Sequence, residues 1–319
     1  MNIIFMGTPQ FAAPTLQALV KDSQYNITVI TQPDRPAKRG YRLTPPVIKL
    51  LAQRLNIPVY QPFSLSKPED VELIKRLAPE LIVVVAFGQI LSDDVINIPK
   101  YGCINLHPSL LPKYRGAAPI QWSIINGDKV TGVTVAYVSS KLDAGDIILQ
   151  KEVNIEPFDT AGSLSDKLSQ IGAELVIESI KKIVDGTASR IPQDEAKATY
   201  TSRIKKEDAL INWHRPAVEI FNLIRALNPA PGAYTYTPNN QRLKIWMTEI
   251  VDTPTTHHGQ KQEVPPGTII ELTKRGPVIA TATDNLLLLE VQPPGKKKMT
   301  GFQYLHGHRW ETGLKLRSK

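Results

Sequence analysis

The sequence predicts a doubly wound, mostly parallel α/β domain followed by a small β-barrel domain. Three observations predict this. Apolar strand-like segments alternate with helical segments through the first half of the chain. Leu81 to Val85 is apolar at every position, as a central strand buried on both faces requires. Beyond residue 240 the pattern changes to short strand-like runs separated by Pro, Gly and Asn.

Taken in order, residues 2–6, 27–31, 80–86 and 102–106 read as strands. Thr8 followed by Pro9 reads as an N-cap and first helical residue, opening a helix to Val20. Ser66 and Glu69 match a capping box for a helix to Leu77. Strands at 132–138 and 147–153 precede a long helix over 160–184. Residues 189–206 are polar without sustained period and read as a linker, so the domains are placed at 1–188 and 207–319. The second opens with an amphipathic helix, Arg215 to Ala226, and continues with strands at 243–251, 268–272, 278–283 and 286–291. The first domain is thus Rossmann-like, and ligands of such sheets bind beyond the carboxyl ends of the strands.

At 319 residues and 42% apolar content, the chain can build a core in each domain. The N-terminus runs from a strand into Gly7 without a basic leader, and no apolar run reaches the ~20 residues of a membrane span, so the expectation is a cytoplasmic protein away from membranes. A single cysteine, Cys103, excludes an intrachain disulfide and a thiolate metal cluster. The histidines form no ligand pattern; His257 and His258 sit together in a polar loop, and no metal is expected.

Chemistry is concentrated where the strand at 102–106 ends. Asn105 and His107 are two residues apart, so on a strand their side chains share a face. An amide donor beside an imidazole able to carry a proton suits a developing oxyanion coupled to proton transfer. Asp143 lies in a later turn that Gly145 makes permissive, and its carboxylate there could orient the imidazole and favour its charged form. Such a set supports acyl transfer without a nucleophilic side chain. Each residue alone is as compatible with a satisfied strand end or turn.

The run HPSLLPKYRGAAP over residues 107–119 resembles the signature of the folate-dependent formyltransferases, and LDAGD over 142–146 resembles their second motif. FMGTPQFA at 5–12, TQPDRP at 31–36 and IRALNPAPGAY at 224–234 extend the resemblance over both domains. It implies a formyltransferase fold with an OB-like barrel, and a one-carbon transferase whose matching catalytic residues are Asn105, His107 and Asp143. Its folate contacts correspond to Ser109, Leu110, Leu111 and Pro112, together with Phe87, Gly88, Gln89, Ile90 and Leu91. The implied donor is 10-formyltetrahydrofolate, consumed as substrate, and the implied acceptor is the α-amino group of methionine on initiator tRNA, used in translation initiation. Two positions depart from the family: Lys141 replaces its usual glycine, beside the turn carrying Asp143, and Ala230 replaces its usual tryptophan.

Charge placement bears on the acceptor. Residues 1–188 hold 19 Lys and Arg against 18 Asp and Glu, whereas residues 189–319 hold 19 against 12, so +7 of the net +8 lies in the second part. Arg35, Lys38, Arg39, Arg42, Lys49 and Arg54 fall in an acid-free stretch whose part from Pro36 to Pro46 reads as an exposed basic loop, and Lys296, Lys297 and Lys298 add a second basic group. Arg35, Lys38, Arg39, Arg42 and the three later lysines are the candidate tRNA contacts, on a chain expected to be monomeric. The alternative is a related formyltransferase acting on a small amine, a nucleotide-sugar or purine precursor, which needs no basic surface. A nicotinamide dehydrogenase is disfavoured because residues 7–10 lack the glycine-rich fingerprint, and a non-catalytic RNA-binding protein would leave the two motifs unexplained.

Overall fold

The first part of the chain contains β1 (Asn2–Gly7), α1 (Ala13–Val20), β2 (Asn26–Ile30), β3 (Arg35–Ala37), β4 (Arg42–Thr44), α2 (Val47–Arg54), β5 (Val59–Tyr60), α3 (Pro68–Arg76), β6 (Leu81–Val85), α4 (Asp93–Ile96), β7 (Cys103–His107), β8 (Arg115–Gly116), α5 (Pro119–Ile125), β9 (Val130–Tyr137), β10 (Ile147–Asn154), α6 (Ala161–Val184) and β11 (Tyr200–Thr201). These elements are seen in a computed structural model that describes residues 1–37, 42–65, 67–252 and 264–318.

The central sheet has the order β10-β9-β7-β6-β1-β2-β5. The run from β7 to β5 is parallel, while β9 pairs antiparallel with β7, and β10 with β9. The all-apolar reading of β6 explains its place: every residue from Leu81 to Val85 is buried between β1 and β7. On one face Ile4, Met6, Ile82 and Val84 pack with Val71 and Ile74 of α3. Across the sheet α6 comes so close that a Cβ on Gly172 would stand 2.6 Å from Leu106 Cδ2. Only glycine allows that approach.

Several local expectations change. Thr8 does not cap α1: its hydroxyl donates to the carbonyl of Phe87 at 2.8 Å, and a short 3-10 turn over Gln10–Ala12 precedes the helix. Long-range pairing wins over the local cap, tying the β1 loop to the loop after β6. Ser66 lies outside the described residues; α3 starts from Lys67 with Pro68 at its first position and no side-chain cap. The segment 36–46 read as a basic loop includes residues of an antiparallel pair, β3 with β4, and α2 follows it. Lys38 and Arg39 are outside the described residues, as are His257 and His258.

Contacts divide the chain into Met1–Pro119, Val130–Asn154 and Ser165–Thr201 as one unit, and Ile120–Lys129, Ile155–Leu164 and Ser202–Lys319 as another. The second unit holds α7 (Ala217–Ala226), β12 (Tyr234–Tyr236), β13 (Arg242–Val251), β14 (Ile269–Leu272), β15 (Pro277–Ala280), β16 (Asn285–Gln292), β17 (Met299–Thr300) and α8 (Gly301–His308). Its antiparallel sheet has the order β12-β13-β16-β15-β14, with β17 on β16. Trp213, Ile220, Ile224, Leu243, Ile245, Leu286, Leu288 and Tyr304 form the interior. Near the C-terminus, Arg317 bridges Tyr236 beside one edge and Lys315 bridges Thr268 beside the other, curling the sheet into a barrel-like form. The sequence reading found one helix here; α8 is a second, capped reciprocally by Thr300 and Gln303. That Thr-x-x-Gln spacing was a legible signal. Among the described residues no helix is long and apolar enough to cross a membrane.

Candidate active site

Asn105 and His107 project from the same face of β7 because alternate residues of a strand do. Asp143 reaches them from the turn between β9 and β10. Its Oδ1 accepts a long bond from Asn105 Nδ2 at 3.4 Å, and its Oδ2 stands 3.7 Å from His107 Nδ1. The second distance exceeds a hydrogen bond. The ring is oriented instead by a backbone group: His107 Nε2 pairs with the carbonyl of Tyr114 at 2.9 Å. Since a carbonyl only accepts, that pairing puts a proton on Nε2 and leaves Nδ1 facing Asp143.

The Asp143 turn is held from several sides. Asp143 itself adopts φ +49°, a left-handed conformation costing roughly 1–2 kcal/mol for a residue with a side chain. Its Oδ2 accepts the Gly116 N–H at 2.8 Å, a charge-assisted bond worth about 1.5–3 kcal/mol, enough to offset that cost. Gly145 serves differently from the sequence expectation. Its φ is not positive, but a Cβ there would lie 1.8 Å from the Tyr137 carbonyl oxygen. Close backbone approach, not turn freedom, is what requires glycine. Lys141 is exposed with an ordinary negative φ, so the side chain is tolerated there; Ala230, likewise exposed, leaves no hole in the core.

The loop after β6 lies beside this group, because β6 and β7 are parallel neighbours and end at the same edge. Its residues alternate sharply. Ala86, Gly88 and Ile90 are exposed, Ile90 at 82%, whereas Phe87 and Leu91 are buried. Gln89 is tied back, accepting from Leu65 N–H at 3.0 Å and donating to the Pro62 carbonyl. The second candidate loop also turns partly inward. Ser109 is fully buried and donates to the Lys113 carbonyl, while Thr134 Oγ1 donates to the Ser109 carbonyl and accepts from the Leu111 N–H. Ser109, Leu111 and Phe87 therefore shape the loops through buried side chains. Leu110, Pro112, Gly88 and Ile90 keep accessible surface, and Gly88 has open space around its Cα.

Arg115, Gln193, Glu195 and Tyr200, to which the sequence assigned no role, complete the arrangement. Arg115 is fully buried, donating to both carboxylate oxygens of Glu195 and to the hydroxyl of Tyr200 at 3.0 Å. Those bonds, Glu195 first, raise the guanidinium pKa still further, and Arg115 in turn holds Glu195 below the usual carboxylate range. Gln193 joins this pair to the Asp143 turn. Arg115 stands in the 107–119 run, but neither its burial nor the acid that meets it is legible there.

Against this geometry the comparisons are specific. A formyl transferase family model matches residues 1–180, and a formyl transferase C-terminal domain model matches 203–309. The chain belongs to the formyl transferase family. Among its relatives, the methionyl-tRNA formyltransferase of Bacillus subtilis is 47% identical over 98% of this chain and 96% of that protein. The one from Moorella thermoacetica is 46% identical over 97% and 96%. A solved sugar 3N-formyl transferase, crystallised in the presence of dTDP and 5-N-formyl-THF, superposes with TM-score 0.65 at 21% identity, covering 93% of this chain and 99% of that one. An N-formyltransferase from Helicobacter canadensis in complex with folinic acid and dTDP-3-aminofucose gives 0.64 at 20% identity, covering 91% and 98%. These two likenesses establish the formyl transferase fold.

The candidate tRNA contacts differ in how far they are engaged. Arg35 is exposed and donates to Gln32 Oε1 at 2.8 Å, and the nearby Lys49 pairs with Asp34 at 2.8 Å. The Arg42 side chain lies outside the described residues. Lys296, Lys297 and Lys298 are exposed in the second unit; Lys298 lies 3.3 Å from Glu290 and 4.2 Å from the Trp246 ring centroid.

Proposed function

We propose that this chain transfers the formyl group of 10-formyltetrahydrofolate to the α-amino group of methionyl initiator tRNA. The observation that carries the reading is the convergence of Asn105, His107 and Asp143 at the carboxyl end of β7, in a chain matched along nearly its whole length by methionyl-tRNA formyltransferases. The neutral amine attacks the formyl carbon, the carbonyl electrons move onto its oxygen, and collapse breaks the bond to folate N10. A proton leaves the new ammonium and reaches N10. Asn105 Nδ2 and protonated His107 hold the oxyanion, and Asp143 keeps the imidazolium charge in place. The folate lies against the accessible surfaces of residues 86–91 and 110–112, where exposed Ile90 and the space around Gly88 suit a flat ring.

In this reading residues 1–188 carry the chemistry, 189–206 connect, and residues 207–319 supply the basic tRNA-binding surface, with Lys296, Lys297 and Lys298 joining Arg35, Lys38, Arg39 and Arg42 on the phosphates. The test is formyl transfer from 10-formyltetrahydrofolate to methionyl-initiator and methionyl-elongator tRNA at two salt concentrations. Transfer to the initiator alone, weakening as salt rises, supports the proposal. Folate binding without transfer to either tRNA overturns the acceptor and points to a small amine.

A further inference from the structure

Of residues 190–201, read from sequence as part of a linker, the first few contact the segment that carries Asp143 and the rest contact the segment around Arg115. Ile191 exchanges two backbone hydrogen bonds with Ile147 of β10, and the Arg190 guanidinium lies 3.9 Å from the Tyr137 ring centroid. Gln193 is the centre of this stretch. Its Nε2 donates to the backbone carbonyls of Asp143 and Gly145, both at 2.8 Å. Its Oε1 accepts from Arg115 Nε at 3.0 Å and Nη2 at 2.8 Å. Both amide protons and the amide oxygen are therefore committed, and the paired Arg115 donors fix which end of the amide faces the turn. Arg115 is itself held by Glu195 and Tyr200, and its backbone N–H donates to the Thr199 carbonyl.

We propose that Gln193 is a positioning residue for the transfer reaction, holding the Asp143 turn at its working distance from His107; this rests on the assignment of Asp143 above. The backbone geometry makes the dependence concrete. Asp143 sits in a left-handed conformation, and the carbonyls of Asp143 and Gly145 converge on one side chain. Removing the two donors leaves both carbonyls seeking other partners, and the carboxylate moves with its own backbone. A displacement near 1 Å in a reacting constellation costs on the order of a hundredfold in rate. The chain continues into Ser202 and the second unit directly after this stretch.

The experiment is a double-mutant cycle on the full-length protein. Gln193→Met keeps size and removes both donors; kcat for formyl transfer should fall roughly 10- to 100-fold, with KM for each substrate unchanged within about threefold, since Gln193 acts through Asp143 and touches neither substrate. In an Asp143→Ala background the same substitution should cost less than about twofold, because the group it positions is gone. A wild-type kcat in Gln193→Met, or an equal loss in both backgrounds, overturns the positioning role. A wild-type kcat in Asp143→Ala alone would overturn the catalytic assignment instead, so the two failures are distinct. Gln193→Glu runs the same cycle if the Met variant does not fold: it keeps the acceptor for Arg115 and loses both donors.

Discussion

Gly145→Ala is the sharpest probe of how the site is held. The Cβ would stand 1.8 Å from the Tyr137 carbonyl oxygen and 2.7 Å from its carbonyl carbon. A tolerable carbon–oxygen contact is at least about 3.0 Å, so either the turn or the end of β9 must retreat by more than about 1 Å. Tyr137 N–H donates to the Asp146 carbonyl at 2.9 Å and Tyr137 neighbours Val138, which is tied to Cys103, so β9 resists. The turn gives way, carrying Asp143 with it. Two costs follow. Strain and lost turn bonds should lower stability by about 1–3 kcal/mol. Misplacing the carboxylate by about an ångström should lower kcat on the order of a hundredfold. Thermal unfolding and steady-state formyl transfer measure the two separately, and salt-sensitive tRNA binding should be unchanged. A folded Gly145→Ala protein with undiminished kcat would refute the claim that this approach sets the position of Asp143. Gly88→Ala is a useful contrast, because its φ of +89° makes a Cβ unfavourable although nothing stands within 4 Å.

Asn105→Ala should slow formyl transfer by roughly a hundredfold or more while leaving folate affinity within a few-fold, as measured by turnover and by direct binding. Removal of residues 314–319 takes away the backbone pairing of Arg317 with Tyr236 and of Leu316 with Gly267; the barrel should open, seen as early amide exchange across β12 and β14. Arg115 depresses the Glu195 pKa, so this pair stabilises the folded protein above the unfolded carboxylate value of about 4.3 and the contribution is lost as pH falls through the lower folded value. Unfolding of wild type and Glu195→Gln should therefore differ above that range and converge in acid; a difference that persists at low pH would contradict the ion-pair assignment.

How much of this was legible in the sequence depended on whether a feature lives in side-chain type or in backbone position. Leu81 to Val85 announced a central strand because burial on both faces demands five apolar residues in a row. Asn105 and His107 were paired correctly by the period of a strand alone. Asp143 was suggested as their partner because a carboxylate in that turn could orient the imidazole, and motif resemblance supported it, but nothing local says that a turn nearly forty residues away returns to the same point. Tyr114 escaped notice because its contribution is a carbonyl, which every residue has. The Thr8 cap failed because a hydroxyl that can satisfy a helix end locally found the Phe87 carbonyl instead. Ser109, Leu111 and Phe87 belong to the candidate folate loops, yet their side chains point into the protein.

By itself the sequence determined the alternation that builds a parallel sheet, the switch to a small barrel, the concentration of positive charge after residue 188, and the residue types able to stabilise an oxyanion and move a proton. These follow from periodicity, composition and functional-group chemistry, which are local properties of the chain. Tertiary structure alone decided that Gly145 is required by contact, that Tyr114 orients His107, and that Gln193 and Glu195 meet Arg115 behind the Asp143 turn. Those are distances between segments far apart in sequence, and they exist only once burial of the sheet has brought the segments together.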